Sequence, residues 1–304
     1  MGITFIFLDG FGLGENDAEK NPMVSAEMPF IRSLFGGNPL TAELKDYKSP
    51  EVTLVQTDPC LGVEGIPQSA TGQTTILTGK NAAKIAGRHI NAYPTKILKE
   101  VLAEYSVYKQ LLKLGFSVTS ANAYSPHYFK LVQAKKRRHS VTTIAALTAG
   151  LKLRTLDDLL AGNAVYQDIT NELLIEQGYD LPLITPELAG ERLAELASNY
   201  DFCLFEYFQT DLAGHKKDKQ LTEKILNIID RFLGSVCKNS DLKNNLIVIT
   251  SDHGNIEDLS LKTHTCNFVP TILIGKKHQE FGLRIKSLRD LTPTVIDFFK
   301  GNLA

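Results

Sequence analysis

Four short segments of this chain put carboxylates and imidazoles where they could hold metal ions. Asp9 follows an apolar run in FIFLDGFG, Asp211 and His215 lie in FQTDLAGH, Asp252 and His253 in ITSDHGN, and His264 in THTCNFVP. Three carboxylates and three imidazoles make an oxygen and nitrogen donor set suited to zinc, manganese and similar divalent ions, and their number points to two metals. The i, i+4 spacing of Asp211 and His215 brings both side chains to one face if that segment is helical. Taken singly, most of these residues have plainer readings. Asp211 and His215 match a helix ion pair, Asp9 beside Gly10, Gly12 and Gly14 matches a turn cap, and His264 a polar residue near a core. Asp252-His253-Gly254-Asn255 resists such a reading, because two ionisable groups at the end of a buried strand are unfavourable without a task.

A hydroxyl adds a second kind of chemistry. Ser69 stands in PQSATGQTTILTG, ahead of a stretch of helical character. At a helix N-terminus the backbone N–H groups and the dipole favour phosphate or sulfate, and a hydroxyl on a metal becomes a strong nucleophile. Two alternatives stay open: Ser69 or Thr71 serves as an N-cap, or Thr71 is the nucleophile.

Such residues need a scaffold. Ile3 to Leu8, Ser117 to Ala121, Asp201 to Glu206, Leu246 to Thr250 and Thr271 to Ile274 read as strands covered on both faces. Apolar residues recur every three or four positions in Tyr105 to Leu114, Pro186 to Ser198 and Leu221 to Val236, which predicts helices. Gly115 is an expected helix stop, and Thr185-Pro186 an expected N-cap with proline in the first turn. Alternating strands and helices imply an α/β fold, a doubly wound, mostly parallel sheet flanked by helices, whose ligands gather beyond the carboxyl ends of the strands. Residues 124–182 fit the alternation poorly and are read as a small inserted lobe in a single domain spanning 1–304.

Taken in order, Asp9, Ser69, Asp211/His215, Asp252/His253 and His264 resemble the metal and nucleophile pattern of the alkaline phosphatase superfamily. The resemblance is strongest to the branch of cofactor-independent phosphoglycerate mutase and phosphopentomutase, carried by SATGQTTILTG, SDHGN, THT and the following VP pair. It implies an alkaline phosphatase-like core and two divalent ions, zinc or manganese. One ion would be held by Asp211, His215 and His264, the other by Asp9, Asp252, His253 and the Ser69 oxygen. It also implies attack by Ser69 on a small phosphoester, with the two ions clamping both oxygens of an in-line displacement. The mutases of that branch carry a large cap domain, whereas only 142 positions separate Ser69 from Asp211 here, so a hydrolase is expected and a phosphomutase is the alternative. Arg88, His89, Arg137, Arg138 and His139 are candidate contacts for the anionic substrate, although a charge run such as 135–138 also matches a solvated face.

Composition excludes other classes. The chain has 304 residues, 43% of them hydrophobic, so it can bury a core, and its net charge of -1 gives no footprint for nucleic acid or anionic membrane. Ile3 to Leu8 is too short for an export signal and no run is long enough to span a bilayer, so a soluble, cytoplasmic protein is expected. Cys60, Cys203, Cys237 and Cys266 form no CxxC pair and are expected as reduced thiols. His278 in GKKHQE is assigned to a solvated turn. A nucleotide-binding GxGxxG fails, since Gly14 comes too early and Glu15 stands where the third glycine belongs. A non-catalytic metal-binding protein on the same scaffold remains open, as does the oligomeric state.

Overall fold

Every residue of Ile3–Leu8 is buried, as a strand covered on both faces requires. In the computed structural model, which describes residues 1–303, this strand, β1, lies inside a seven-stranded sheet. The others are β2 (Tyr47–Lys48), β3 (Val52–Thr57), β4 (Val118–Ser120), β5 (Phe202–Tyr207), β6 (Leu246–Thr250) and β7 (Val269–Gly275), in the order β2-β3-β7-β6-β1-β5-β4. The four strands β6, β1, β5 and β4 run parallel, while β7, β3 and β2 continue the sheet in antiparallel pairs. Leu8 pairs with Tyr207 and Phe7 with Thr250, so β1, β5 and β6 end at one level and their following residues share one crevice. This is the α/β fold that the alternation predicts.

Helix Pro186–Ser198 has the bounds its punctuation dictates, with the Thr185 hydroxyl accepting from the Leu188 N–H at 3.2 Å. It packs on Lys219–Asn239, which extends the expected Leu221–Val236 at both ends. The expected helix Tyr105–Leu114 is instead two. Ser106 takes an extended ψ of 142°, ends Lys96–Tyr105, and its hydroxyl caps Val107–Lys113. The strands β2 and β3 were outside the five predicted runs because Lys48-Ser49-Pro50-Glu51 and the polar Thr53 and Gln56 dilute the apolar signal.

The expected lobe divides in two. Val141–Thr148 belongs to the main core, where Val141, Ile144, Ala145 and Ala146 join the side chains packed under helix Ser69–Thr78. Ala123, Leu159, Ala164, Tyr166 and Leu174 form a small apolar cluster of their own beside it. His278 corrects the expectation of a solvated turn: it is buried, with Nδ1 2.9 Å from the Thr53 hydroxyl and Nε2 3.2 Å from the Pro50 carbonyl. All four cysteines are free thiols.

Candidate active site

The crevice at the ends of β1, β5 and β6 is where the donors collect. Asp9 is the first residue after β1, and Asp252 and His253 follow β6 by two and three residues. Asp211 and His215 lie on helix Gln209–Lys216, which starts two residues after β5, so the i, i+4 condition is met. His264 comes from the loop before β7, and Ser69 is the first residue of helix Ser69–Thr78. Gly72 lets that helix close on the site: a Cβ there would stand 2.8 Å from the Asp252 Cβ and 2.9 Å from its carbonyl oxygen. Gly10 turns the chain after Asp9 with φ +67°, where a side chain would meet Asp211.

Two groups of ligand atoms, each within 4.8 Å of one another, result: Asp9, Asp252 and His253, and Asp211, His253 and His264. His253 belongs to both. Its Nε2 lies 3.3 Å from Asp9 Oδ1, 3.6 Å from Asp252 Oδ2 and 3.0 Å from Ser69 Oγ. The His253 and His264 rings stack at 3.7 Å. His264 Nε2 is 3.4 Å from Asp211 Oδ1 and 3.2 Å from His215 Nε2, and His215 Nε2 is 3.4 Å from Asp211 Oδ2. Nδ1 of His253 faces the Gly254 carbonyl at 3.3 Å and Nδ1 of His264 the Pro67 carbonyl at 3.1 Å. Carbonyls only accept, so the Nδ1 atoms carry the protons and Nε2 is the atom each ring offers to the cluster.

The electrostatics call for a cation. Burial, reinforced by the charges of Asp252, Asp211 and Glu206, pushes the Asp9 carboxyl well above its ordinary value. Burial and then Asp211 push Asp252 up to about 7. Burial, with His264 beside it, takes His253 down to about 3, so its ring is neutral at any ordinary pH. Asp211 behaves oppositely: burial alone would raise it, but its contacts with His264 and His253 and the hydrogen bond from Asn255 bring it to about 2. Burial alone would depress His264, and the Asp211 carboxylate more than offsets this and raises it. Gln73 Nε2 donates to both Asp9 Oδ2 and Asp252 Oδ2 at 3.2 Å, yet the buried Asp9 Oδ1 has no hydrogen-bond partner. A divalent cation satisfies such a set of crowded carboxylates, imidazole nitrogens and an orphaned oxygen.

Ser69 and Thr71 part company here. The Ser69 hydroxyl faces His253 and lines a cavity of about 470 Å³ above the cluster, while Gln68 is the N-cap of its helix. The Thr71 hydroxyl donates to the Gln68 carbonyl at 3.1 Å and accepts from the Ile90 N–H at 3.2 Å, which ties the helix start to a loop. Arg137 and Arg138 line the cavity, their guanidiniums over the rings of Tyr128 and Tyr93. His139 stands behind it, with Nδ1 2.7 Å from the Tyr128 hydroxyl. Arg88 is exposed and His89 lies against the Val63 carbonyl at 3.3 Å, both outside the cavity lining.

Sequence reasoning passed over several contributors. The buried Glu257 accepts from the Gly12 N–H at 3.1 Å, the Asn255 N–H at 2.7 Å, the Thr265 hydroxyl and the Asn267 amide, joining three loops that carry site residues. Asn255 holds Asp211, donating to its Oδ1 at 2.7 Å. Glu206, on β5, is buried at the cavity, hydrogen-bonded by Thr142 and pushed up to about 7 by burial. The one available signal was Glu206 itself, a charged residue inside an otherwise apolar run.

Likeness to known proteins agrees with this geometry. A family model described as "Metalloenzyme superfamily" matches residues 1–303. The chain belongs to this superfamily. Within the metalloenzymes, it is similar to the 2,3-bisphosphoglycerate-independent phosphoglycerate mutase of Desulforudis audaxviator, 32% identical over 129 residues, or 39% of this chain and 25% of that enzyme. The enzyme of the same name from Antithamnion sp. is 32% identical over 139 residues, 41% of this chain and 27% of its own. The matches thus span about a quarter of these relatives. Among solved structures, the PH0037 protein from Pyrococcus horikoshii has a TM-score of 0.59 at 17% identity, covering 98% of this chain and 96% of its own. The alkaline phosphatase of the Antarctic bacterium TAB5 has a TM-score of 0.52 at 13% identity, with 98% of each chain covered. The fold is therefore alkaline phosphatase-like. No helix among the described residues is long and apolar enough to cross a membrane.

Proposed function

We propose that this metalloenzyme hydrolyses a small phosphoester through a phosphorylated Ser69. The observation that carries the reading is the position of the Ser69 Oγ, 3.0 Å from His253 Nε2, at the positive end of helix Ser69–Thr78 and on the cavity wall. Asp211, His215 and His264 would hold one divalent ion and Asp9, Asp252, His253 and Ser69 the other. When bound, such ions supply fixed positive charge that activates a hydroxyl and meets the charge developing on phosphoryl oxygens. The Ser69 oxygen attacks phosphorus as its proton passes to solvent, and its bond to phosphorus forms as the bond to the substrate alcohol breaks and that alcohol takes up a proton from water. A water then cleaves the phosphoserine, returning the Ser69 hydroxyl and releasing inorganic phosphate. Gln73 orients Asp9 and Asp252, Asn255 orients Asp211, and the carbonyls of Gly254 and Pro67 fix the two rings. His253, held neutral, stays a ligand rather than a proton acceptor. Arg137 and Arg138 contact the anionic substrate, whereas Arg88 and His89 are given no such role.

Hydrolysis is favoured over phosphomutase chemistry because exposed residues, Asn91, Ala92, His127, Arg137 and Arg138, form part of the cavity wall and leave it open to water. The test is a panel of phosphoglycerates, pentose phosphates and aryl phosphates with added manganese or zinc. Expected are release of inorganic phosphate, its loss in Ser69→Ala, and a phosphorylated Ser69 peptide by mass spectrometry. Isomer exchange faster than phosphate release would make the enzyme a mutase. Loss of activity in Thr71→Ala but not in Ser69→Ala would overturn the nucleophile.

A further inference from the structure

The cavity above the cluster is built for more than a three-carbon phosphate. At about 470 Å³ it falls in the range of sites that enclose drug-sized ligands. Tyr93, Tyr124, Tyr128, Tyr166 and Phe208 supply aromatic surface, and the Tyr124 and Tyr128 rings meet at 4.8 Å. Arg137 and Arg138 are exposed and lie over Tyr128 and Tyr93, and no other lysine or arginine is among the residues that line the cavity.

Away from the cluster and His127, the uncharged polar groups of the wall are amides and hydroxyls, and the one carboxyl is the buried Glu206. Gln167, on the cavity wall, accepts from Gln209 through Oε1 at 2.7 Å. Glu206 is fixed from behind, since Asn122 bonds both its backbone N–H and its carbonyl at 2.8 Å and Thr142 donates to Oε2. Among the described residues no protein donor reaches Glu206 Oε1 and no ion pair involves this residue. A free acceptor on an unpaired buried carboxyl selects a hydroxyl or amino group and rejects a carboxylate.

Resting on the phosphoester reading above, we propose that the alcohol part of the substrate is a neutral, hydroxyl-bearing group with a flat ring, of the nucleoside class, rather than a carboxylated three-carbon unit. The phosphate lies at the cluster beside Ser69, hydroxyls face Glu206 Oε1, and the ring lies against the tyrosines. Aromatic stacking of a base is strong enough that removing one platform weakens binding about tenfold.

Two measurements on the full chain decide it. Equilibrium dialysis with adenosine, which carries no phosphate, is expected to show one saturable site per chain, weakened about tenfold in Tyr128→Ala and again in Tyr93→Ala. In turnover, adenosine 5'-monophosphate is expected to exceed glycerol 3-phosphate and 3-phosphoglycerate in kcat/KM by tenfold or more, and Glu206→Gln to narrow the gap to 3-phosphoglycerate. Absence of a saturable adenosine site, or equal or greater kcat/KM for either three-carbon phosphate, overturns the proposal. Adenosine binding without turnover of any phosphoester sustains the ring-binding cavity and overturns the phosphoester reading instead.

Discussion

Glu257 gives the sharpest test of how the site is held together, because it touches no reacting group and yet joins the Gly10–Gly12 turn, the His253–Asn255 turn and the loop after His264. Its Oε2 accepts two buried backbone N–H groups, from Gly12 at 3.1 Å and Asn255 at 2.7 Å, and its Oε1 accepts from the Thr265 hydroxyl and the Asn267 amide. In Glu257→Ala both backbone donors lose their partner at about 1–3 kcal/mol each, so a destabilisation of about 4 kcal/mol is expected. In Glu257→Gln the amide oxygen can keep the two backbone donors, while the Thr265 hydroxyl turns and the Asn267 amide flips to accept from the new NH2 group. Its loss is then about 1–2 kcal/mol, the difference between charge-assisted and neutral hydrogen bonds. Urea unfolding of the metal-free proteins measures both, and metal titration is expected to show ten- to a hundredfold weaker binding in Glu257→Ala. The reasoning is refuted if the two substitutions have equal effects, or if Glu257→Ala loses stability without losing metal affinity.

Chelation of the purified protein is expected to lower its melting temperature, since a ligand at a hundred times its Kd contributes about 2.7 kcal/mol. Asp252→Ala and His264→Ala should each bind about one ion fewer by elemental analysis, and a double variant that still carries two would sink the ligand assignment. Gly72→Ala must push the helix bearing Ser69 off Asp252, so a loss of about 1–3 kcal/mol is expected together with a fall in kcat; unchanged activity would mean that the helix position does not set the nucleophile. Glu206 gives the metal-free protein a pH dependence. Its carboxyl is raised by burial to about 7, so between its ordinary value and 7 the folded state holds the extra proton, and stability is full at low pH and falls as pH rises through that window. The whole change is about 3 kcal/mol, and the stability curve of Glu206→Gln should lack it; parallel curves for the two proteins would contradict the buried carboxyl.

The residues that gather in the crevice were legible because oxygen and nitrogen donor chemistry restricts residue type and strand ends restrict position. Asp9, Asp252 and His253 come within three residues of the ends of apolar runs, and Asp211 and His215 carry a helical spacing that the helix Gln209–Lys216 then supplies. The groups that aim these ligands were not legible. Gln73 sits inside a helix of ordinary composition, and Glu257 in NIEDL reads like any exposed acid; each acquires its role only when β1, β6 and the 254–267 loop are brought together, over separations of up to 245 residues. The fold shows the same division. The buried central strands announce themselves by uninterrupted apolar runs, whereas the edge pair β2 and β3, with mixed polar residues, is specified by its pairing with β7 and not by local pattern.

Charge explains why one misreading and one omission have a common source. The polarity of His278 in GKKHQE reads as exposure, and Glu206 falls within a strand read as buried but without a role of its own; both are buried with specific partners, Thr53 and Thr142. The two nevertheless differ in consequence. The ring nitrogens of His278 are both engaged, by Thr53 and by Pro50, so nothing is left to offer a ligand and its role ends with β3. Glu206 keeps one oxygen free and faces a cavity, and a buried carboxyl with an unused acceptor is stable only when something fills that place or when it holds a proton. Glu206→Gln, with the fold and metal content intact, separates the two conditions, because the amide still offers an acceptor but is neutral at every pH: adenosine binding is expected to persist while the gap to 3-phosphoglycerate narrows, and an unchanged gap would mean that the carboxyl already holds a proton when substrate binds.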